Sequence, residues 1–218
     1  MRKNIVFVIV FAAIIYGLVQ LHYYSVDNKC VANESGWQTI EVGEFFTIKY
    51  PADIDLRNDI PFAKLVDPEF KAILPDSIDY EQYRPEFIFL SSDFNDKDSL
   101  SFVSFANIVV RDGVYRGFPG SINEDLIAAV KASLENNLSQ TSYHITSWNE
   151  VEKMDINGAV TLKVSFTQQN ENKSIDVIST YLFKGDQLLQ ISLSLPENEN
   201  KTKWLAIYDK IIEAVEVR

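Results

Sequence analysis

Residues 143–195 read YHITSWNEVEKMDINGAVTLKVSFTQQNENKSIDVISTYLFKGDQLLQISLSL. Four β runs lie in this stretch: Tyr143–Lys153, Ala159–Gln169, Ile175–Lys184 and Leu188–Leu195. Asn157-Gly158 and Gly185-Asp186 are pairs of turn residues between them, and Asn170–Lys173 is polar. The spacing predicts a meander of consecutive antiparallel strands. Such a sheet has an apolar face that needs a cover.

Two helices flank the meander and can supply that cover. Ser121 and Glu124 form an S-x-x-E capping box ahead of Leu126, Ile127, Val130, Leu134 and Leu138, which share one helical face. Asn136-Asn137 is expected to end this helix. A second helix is expected from about Thr202, with Trp204, Tyr208, Ile211 and Val215 on one stripe and Leu205, Ile207 and Ile212 beside it. Periodicity leaves open whether the two helices share a face of the sheet. Upstream, Trp37–Tyr50 reads as a strand pair, turned at Gly43-Glu44 and stopped by Pro51. Glu86–Ser91 and Phe102–Arg111 read as two more strands around an acidic loop, Ser92–Ser99. Residues 52–85 carry Pro61, Pro68, Pro75 and Pro85, so only extended chain and short helical turns are expected there. This order of elements is α+β.

The amino terminus is of another kind. After Met1-Arg2-Lys3-Asn4, residues 5–21 read IVFVIVFAAIIYGLVQL, without a charge. As a helix these span about 25 Å, and continuing to Tyr24 gives about 30 Å, the thickness of a hydrocarbon core. His22, Tyr23 and Tyr24 suit the far interface, and Arg2 and Lys3 keep the amino end in the cytoplasm. A cleaved signal peptide is the competing reading. Its apolar region is shorter than this one, and no small-x-small site follows here. We therefore read residues 1–24 as a transmembrane signal-anchor, 25–36 as a stalk and 37–218 as the folded body. Cys30 follows Asp27-Asn28-Lys29, a poor lipobox, and is read as a free thiol in the stalk.

Composition narrows the function. Removing Arg2, Lys3, Lys29 and Asp27 from 20 basic and 31 acidic residues leaves 17 and 30, so residues 31–218 carry −13. That surface repels phosphate, and no nucleic-acid partner is expected. One cysteine and two histidines exclude a disulfide framework and a Cys/His zinc domain. Neither G-x-G-x-x-G nor G-x-x-x-x-G-K-[ST] occurs, so no nucleotide cofactor is expected.

Individual residues point to little chemistry. Asp93, Asn95, Asp96 and Asp98 have the oxygen density a hard cation needs, but Lys97, Asp98 and Ser104 stand where an EF-hand requires other residues. A solvated loop is the simpler reading. His144 has no G-x-S-x-G elbow to serve and reads as a strand histidine. Glu150 and Glu152 fall on one strand face and could be a glycosidase pair, but like charges at that spacing also mark a solvent face. Trp204 belongs to the apolar stripe, while Trp37 and Trp148 stay open as platform residues. Sequons at Asn33, Asn137, Asn172 and Asn200 matter only in a glycosylating host. No catalytic, cofactor or metal site is expected.

Phe45-Phe46-Thr47-Ile48-Lys49-Tyr50-Pro51 resembles the F-x-I-x-Y-P opening of the PsbP-like family. Asn157-Gly158-Ala159 before a strand, the hairpin Tyr181–Leu195, Pro196, and Trp204–Val217 as a closing helix are similar to its ending. The resemblance implies an α/β/α sandwich around an antiparallel sheet. It also implies a domain that binds or stabilises other proteins and is not an enzyme. The expectation is a single-pass inner-membrane protein, held through residues 5–24, with its carboxy-terminal domain in the periplasm. There the acidic domain would bind or stabilise another envelope protein, of basic character, as an adaptor or an immunity-type inhibitor. The alternatives are an envelope hydrolase using paired carboxylates and a lipid or small-ligand carrier.

Overall fold

A computed structural model describes residues 36–57, 87–91, 106–139, 142–171, 173–197 and 199–218. The apolar run 5–24, Cys30 and the Asp93–Asp98 loop lie outside the described residues. The chain divides into two units, Met1–Trp37 and Gln38–Arg218, and the fold below is that of the second. No helix among the described residues is long and apolar enough to cross a membrane.

The strands are β1 (Trp37–Val42), β2 (Phe46–Pro51), β3 (Ile54–Arg57), β4 (Phe87–Ser91), β5 (Asn107–Val114), β6 (His144–Ile156), β7 (Ala159–Gln169), β8 (Ser174–Lys184), β9 (Gln187–Pro196) and β10 (Glu216–Val217). The helices are α1 (Glu124–Ser139) and α2 (Lys201–Glu213). Strands β3 to β9 make a seven-stranded sheet in the order β3-β4-β5-β9-β8-β7-β6, and β1-β2-β10 make a smaller one. All pairings in the larger sheet are antiparallel. The fold is α+β, as expected.

The meander forms because its turns suit the pairing. Asn157 and Gly158 both adopt positive φ, 50° and 84°, as the tight turn between β6 and β7 requires. Asp155 Oδ1 accepts the Gly158 N–H at 2.9 Å, and Asn157 Nδ2 donates to the Val215 carbonyl. The turn is thus tied to the chain that follows α2.

Alternation along the strands sorts side chains onto two faces. Leu162, Val164, Tyr181 and Phe183 form a cluster with Leu126, Ile127 and Val130 of α1. Thr180 falls on the other face and shares a 2.7 Å hydrogen bond with the Tyr208 hydroxyl of α2. That hydroxyl also donates to the Ile191 carbonyl at 3.1 Å. The two helices therefore take opposite faces, which periodicity had left open. The small sheet shares the α2 side: Tyr50 of β2 meets Phe89 of β4 with ring centroids 5.0 Å apart. Phe89 stands in one row with Ile108 and Leu193, all fully buried. Each apolar side chain of this size removed from water contributes about 1.5–3 kcal/mol.

Several boundaries move. The α1 helix starts at Glu124, and its N-terminal cap is Asn123, whose Oδ1 accepts the Leu126 N–H at 2.9 Å; Ser121 is not the cap. Asn136-Asn137 does not end the helix, which runs to Ser139. A few tenths of a kcal/mol of propensity per asparagine cannot stop a helix whose face is packed. Pro51 is the last residue of β2, where its missing N–H is tolerated. The closing helix ends at Glu213, not Val217; Glu216 and Val217 instead pair with Thr47 and Phe46. Asn200 caps α2 by accepting the Lys203 N–H at 3.0 Å.

Candidate functional site

Strand β6 is an edge of the seven-stranded sheet, and its side chains are exposed or half-buried. Register shifts between Ile145 and Ser147 and between Trp148 and Glu150 interrupt its pairing with β7. Bulges of this kind bend an edge and spoil it as a template for another strand.

Glu150 and Glu152 stand on the α2 face, where Glu152 pairs with Lys163 across β7. Lys163 Nζ lies 3.5 Å from Glu152 Oε2. A hydrogen bond with Glu152 raises the Glu150 pKa, and the Glu152 charge adds to it; Lys163 opposes weakly. On α2, burial raises the Asp209 pKa, with Glu213 and Glu152 raising it further against Lys163. Glu150 and Asp209 are thus both crowded by neighbouring carboxylates, with Lys163 opposing in each case. Anionic crowding of this kind favours a cation brought by a partner.

As a glycosidase pair the two glutamates fit poorly. General acid and nucleophile need about 5 Å or more between them for the scissile bond. Carboxylates hydrogen-bonded to each other on one exposed strand leave no such room. His144 opens β6, exposed, opposite Gln169; among the described residues no serine or carboxylate hydrogen-bonds to it. No three His, Cys, Asp or Glu side chains gather as a metal site would among the described residues.

The tryptophans separate as well. Trp204 is core, 3% exposed. Trp148 is half-buried against Phe166, centroids 5.3 Å apart, with Lys131 Nζ 4.8 Å above its ring and its Nε1 donating to Glu135. Both neighbours come from α1, so Trp148 clamps helix to sheet and is not free as a platform. Trp37 opens β1. A shallow cleft of about 180 Å³ lies elsewhere, between the β1–β2 turn and the ends of β5 and β9.

No family model matches the chain, and no curated protein matches it in sequence. Among solved structures it is similar to cyanobacterial PsbP (CyanoP) from Synechocystis sp. PCC 6803, with a TM-score of 0.55 over 86% of this chain and 96% of that one, at 12% identity. The fold is PsbP-like. LpqN of Mycobacterium tuberculosis, described as involved in cell envelope biogenesis, aligns with a TM-score of 0.48 at 13% identity, covering 83% of this chain and 90% of that one. At 12% identity the likeness to CyanoP speaks for the PsbP-like fold and not for chemistry. The carboxylates of β6 and α2 are read from this chain alone.

Proposed function

We propose that this chain is a non-catalytic, membrane-anchored extracytoplasmic protein whose acidic PsbP-like domain binds a basic segment of another envelope protein. In this reading residues 5–24 hold it in the inner membrane, and the helices and sheet form an α/β/α sandwich in the periplasm. The observation that carries the reading is the carboxylate concentration of β6 and α2: the pKa values of Glu150 and Asp209 are both raised, and Lys163 is the one cation opposing them. A Lys- or Arg-bearing segment would relieve that repulsion, and the net charge of −12 on residues 37–218 (17 basic, 29 acidic) would speed the encounter. The bulged edge supports recognition through side chains and not through strand addition.

The test is crosslinked affinity purification of the tagged full-length chain from membranes, read by quantitative mass spectrometry. Residues 1–36 alone serve as the control. The expected result is one basic partner retained only with the body. Its recovery should fall as salt rises from 0.05 to 0.5 M, and fall further in Glu150→Lys. No partner above the control, or recovery indifferent to salt, would overturn the proposal. The immunity-type version predicts a toxin as that partner.

A further inference from the structure

The face that carries α1 holds a second, unlike group of residues. On β5, Arg111 stands directly opposite Gln190 of β9. Gln190 stands opposite Tyr181 of β8. The three side chains form a row across the middle of the sheet, about 5 Å from one to the next. In the next row Ser192 faces Ser179, their hydroxyls 2.9 Å apart. Gln190 Nε2 donates one hydrogen to Ser192 Oγ at 3.0 Å. Its second N–H remains. Burial pushes the Tyr181 phenol up to about 12, against a hydrogen bond with Ser179 and the charge of Arg111, so it stays a neutral donor.

Arg111 itself is exposed, and among the described residues no carboxylate pairs with it. Its neighbour Asp112 turns to the other face, opposite Leu189 and against Gly43. Toward the sheet end the row Gly113–Leu188–Phe183 is apolar. Phe118 stacks on Phe183, centroids 4.4 Å apart and planes at 1°, and Tyr115 meets it edge-on at 5.8 Å. Phe118, Tyr115 and Leu188 are only half-buried. A Cβ built on Gly113 meets nothing within 4 Å. Open floor therefore lies beside Arg111, with aromatic rings beyond it.

From this geometry we infer that Arg111, Gln190 and Tyr181, with the Gly113 gap and the Phe118–Phe183 stack, form a binding site for a carboxylate carried on an aromatic or apolar body. The guanidinium fork makes two parallel hydrogen bonds to a carboxylate. Gln190 and Tyr181 can add donors at the flank. One guanidinium balances one negative charge, and a dianionic phosphate would add a second charge to a −12 body. The aromatic end gives the apolar part of the ligand its cover. This site is on the face opposite Glu150, and it does not depend on the protein-binding reading.

The test is calorimetric titration of the full-length chain in a neutral detergent. Two carboxylates are used, 3-phenylpropanoate and the peptide Gly-Gly-Phe, each beside its amide. A carboxylate should bind at least tenfold more tightly than its amide, the size expected when a charge-assisted pair is lost. Whichever of the two binds more tightly identifies a free acid or a peptide terminus as the source. Arg111→Gln should weaken binding at least tenfold, and Arg111→Lys less. Gly113→Leu should block the floor without moving the melting temperature, and it carries the test if Arg111→Gln fails to fold. No heat from either carboxylate at millimolar concentration would overturn the inference. So would equal binding of the amides, or wild-type affinity in both Arg111→Gln and Gly113→Leu.

Discussion

Glu150 is held next to a group of its own charge. The Glu152 hydrogen bond and charge raise its pKa above the ordinary glutamate value. The folded state then holds a proton that the unfolded chain has already released. The linkage sign follows: stability contributed at low pH is lost as pH rises from about 4.5 through the raised value. Glu150→Gln should therefore melt higher than wild type at pH 7, with the difference gone below pH 4. Melting curves at the two pH values check this, and an equal or lower melting temperature at pH 7 would refute it. The i, i+2 spacing of Glu150 and Glu152 was enough to place them together. The approach of Asp209 was not legible, because no pattern in the sequence says which strand α2 lies over.

Caps are a matter of where the first helical residue falls. The spacing Ser121-x-x-Glu124 satisfies the capping box, but Glu124 is itself the first residue of α1. Only the residue just before it can turn a side chain onto the open N–H groups, and that is Asn123. Asn123→Ala should cost about 1 kcal/mol, and Ser121→Ala should be near neutral. Urea unfolding of both variants decides it, and the reverse order would restore Ser121 as the cap. The apolar stripe of α1 was legible because Leu126, Ile127 and Val130 repeat at helical spacing and are all buried. The two-residue β10 and four-residue β3 are too short to show a period of any kind.

For the whole molecule, net charge dominates the response to the medium. A −12 body repels itself, and salt screens that repulsion over about 10 Å at 0.1 M. The exposed ion pairs, such as Lys153–Glu124 and Lys49–Glu216, lose little when screened. The melting temperature of the full-length chain in neutral detergent should rise between 0.02 and 0.3 M NaCl. A fall would mean that the surface pairs outweigh the repulsion. The meander β6-β7-β8-β9 was legible since each strand pairs with its neighbour in sequence. The pairing of β5 with β9 was not, because nothing local to Asn107–Val114 names its partner. Arg111 accordingly stands in the sequence only as the end of a strand, although the alternation of Gln190, Ser192 and Ser194 marks a polar face on β9.

That β5–β9 seam also sets an order in time. Every other junction of the larger sheet from β6 to β9 closes across a short turn, whereas the seam must close a loop that contains α1 and most of the meander. Loop closure over such a length is entropically slow, so the meander forms early and β5 docks late. Arg111 comes from one side of the seam, and Gln190 and Tyr181 from the other. The carboxylate site exists only once the two halves have met, so an aromatic acid added during refolding would register the docking step and leave the hairpins silent.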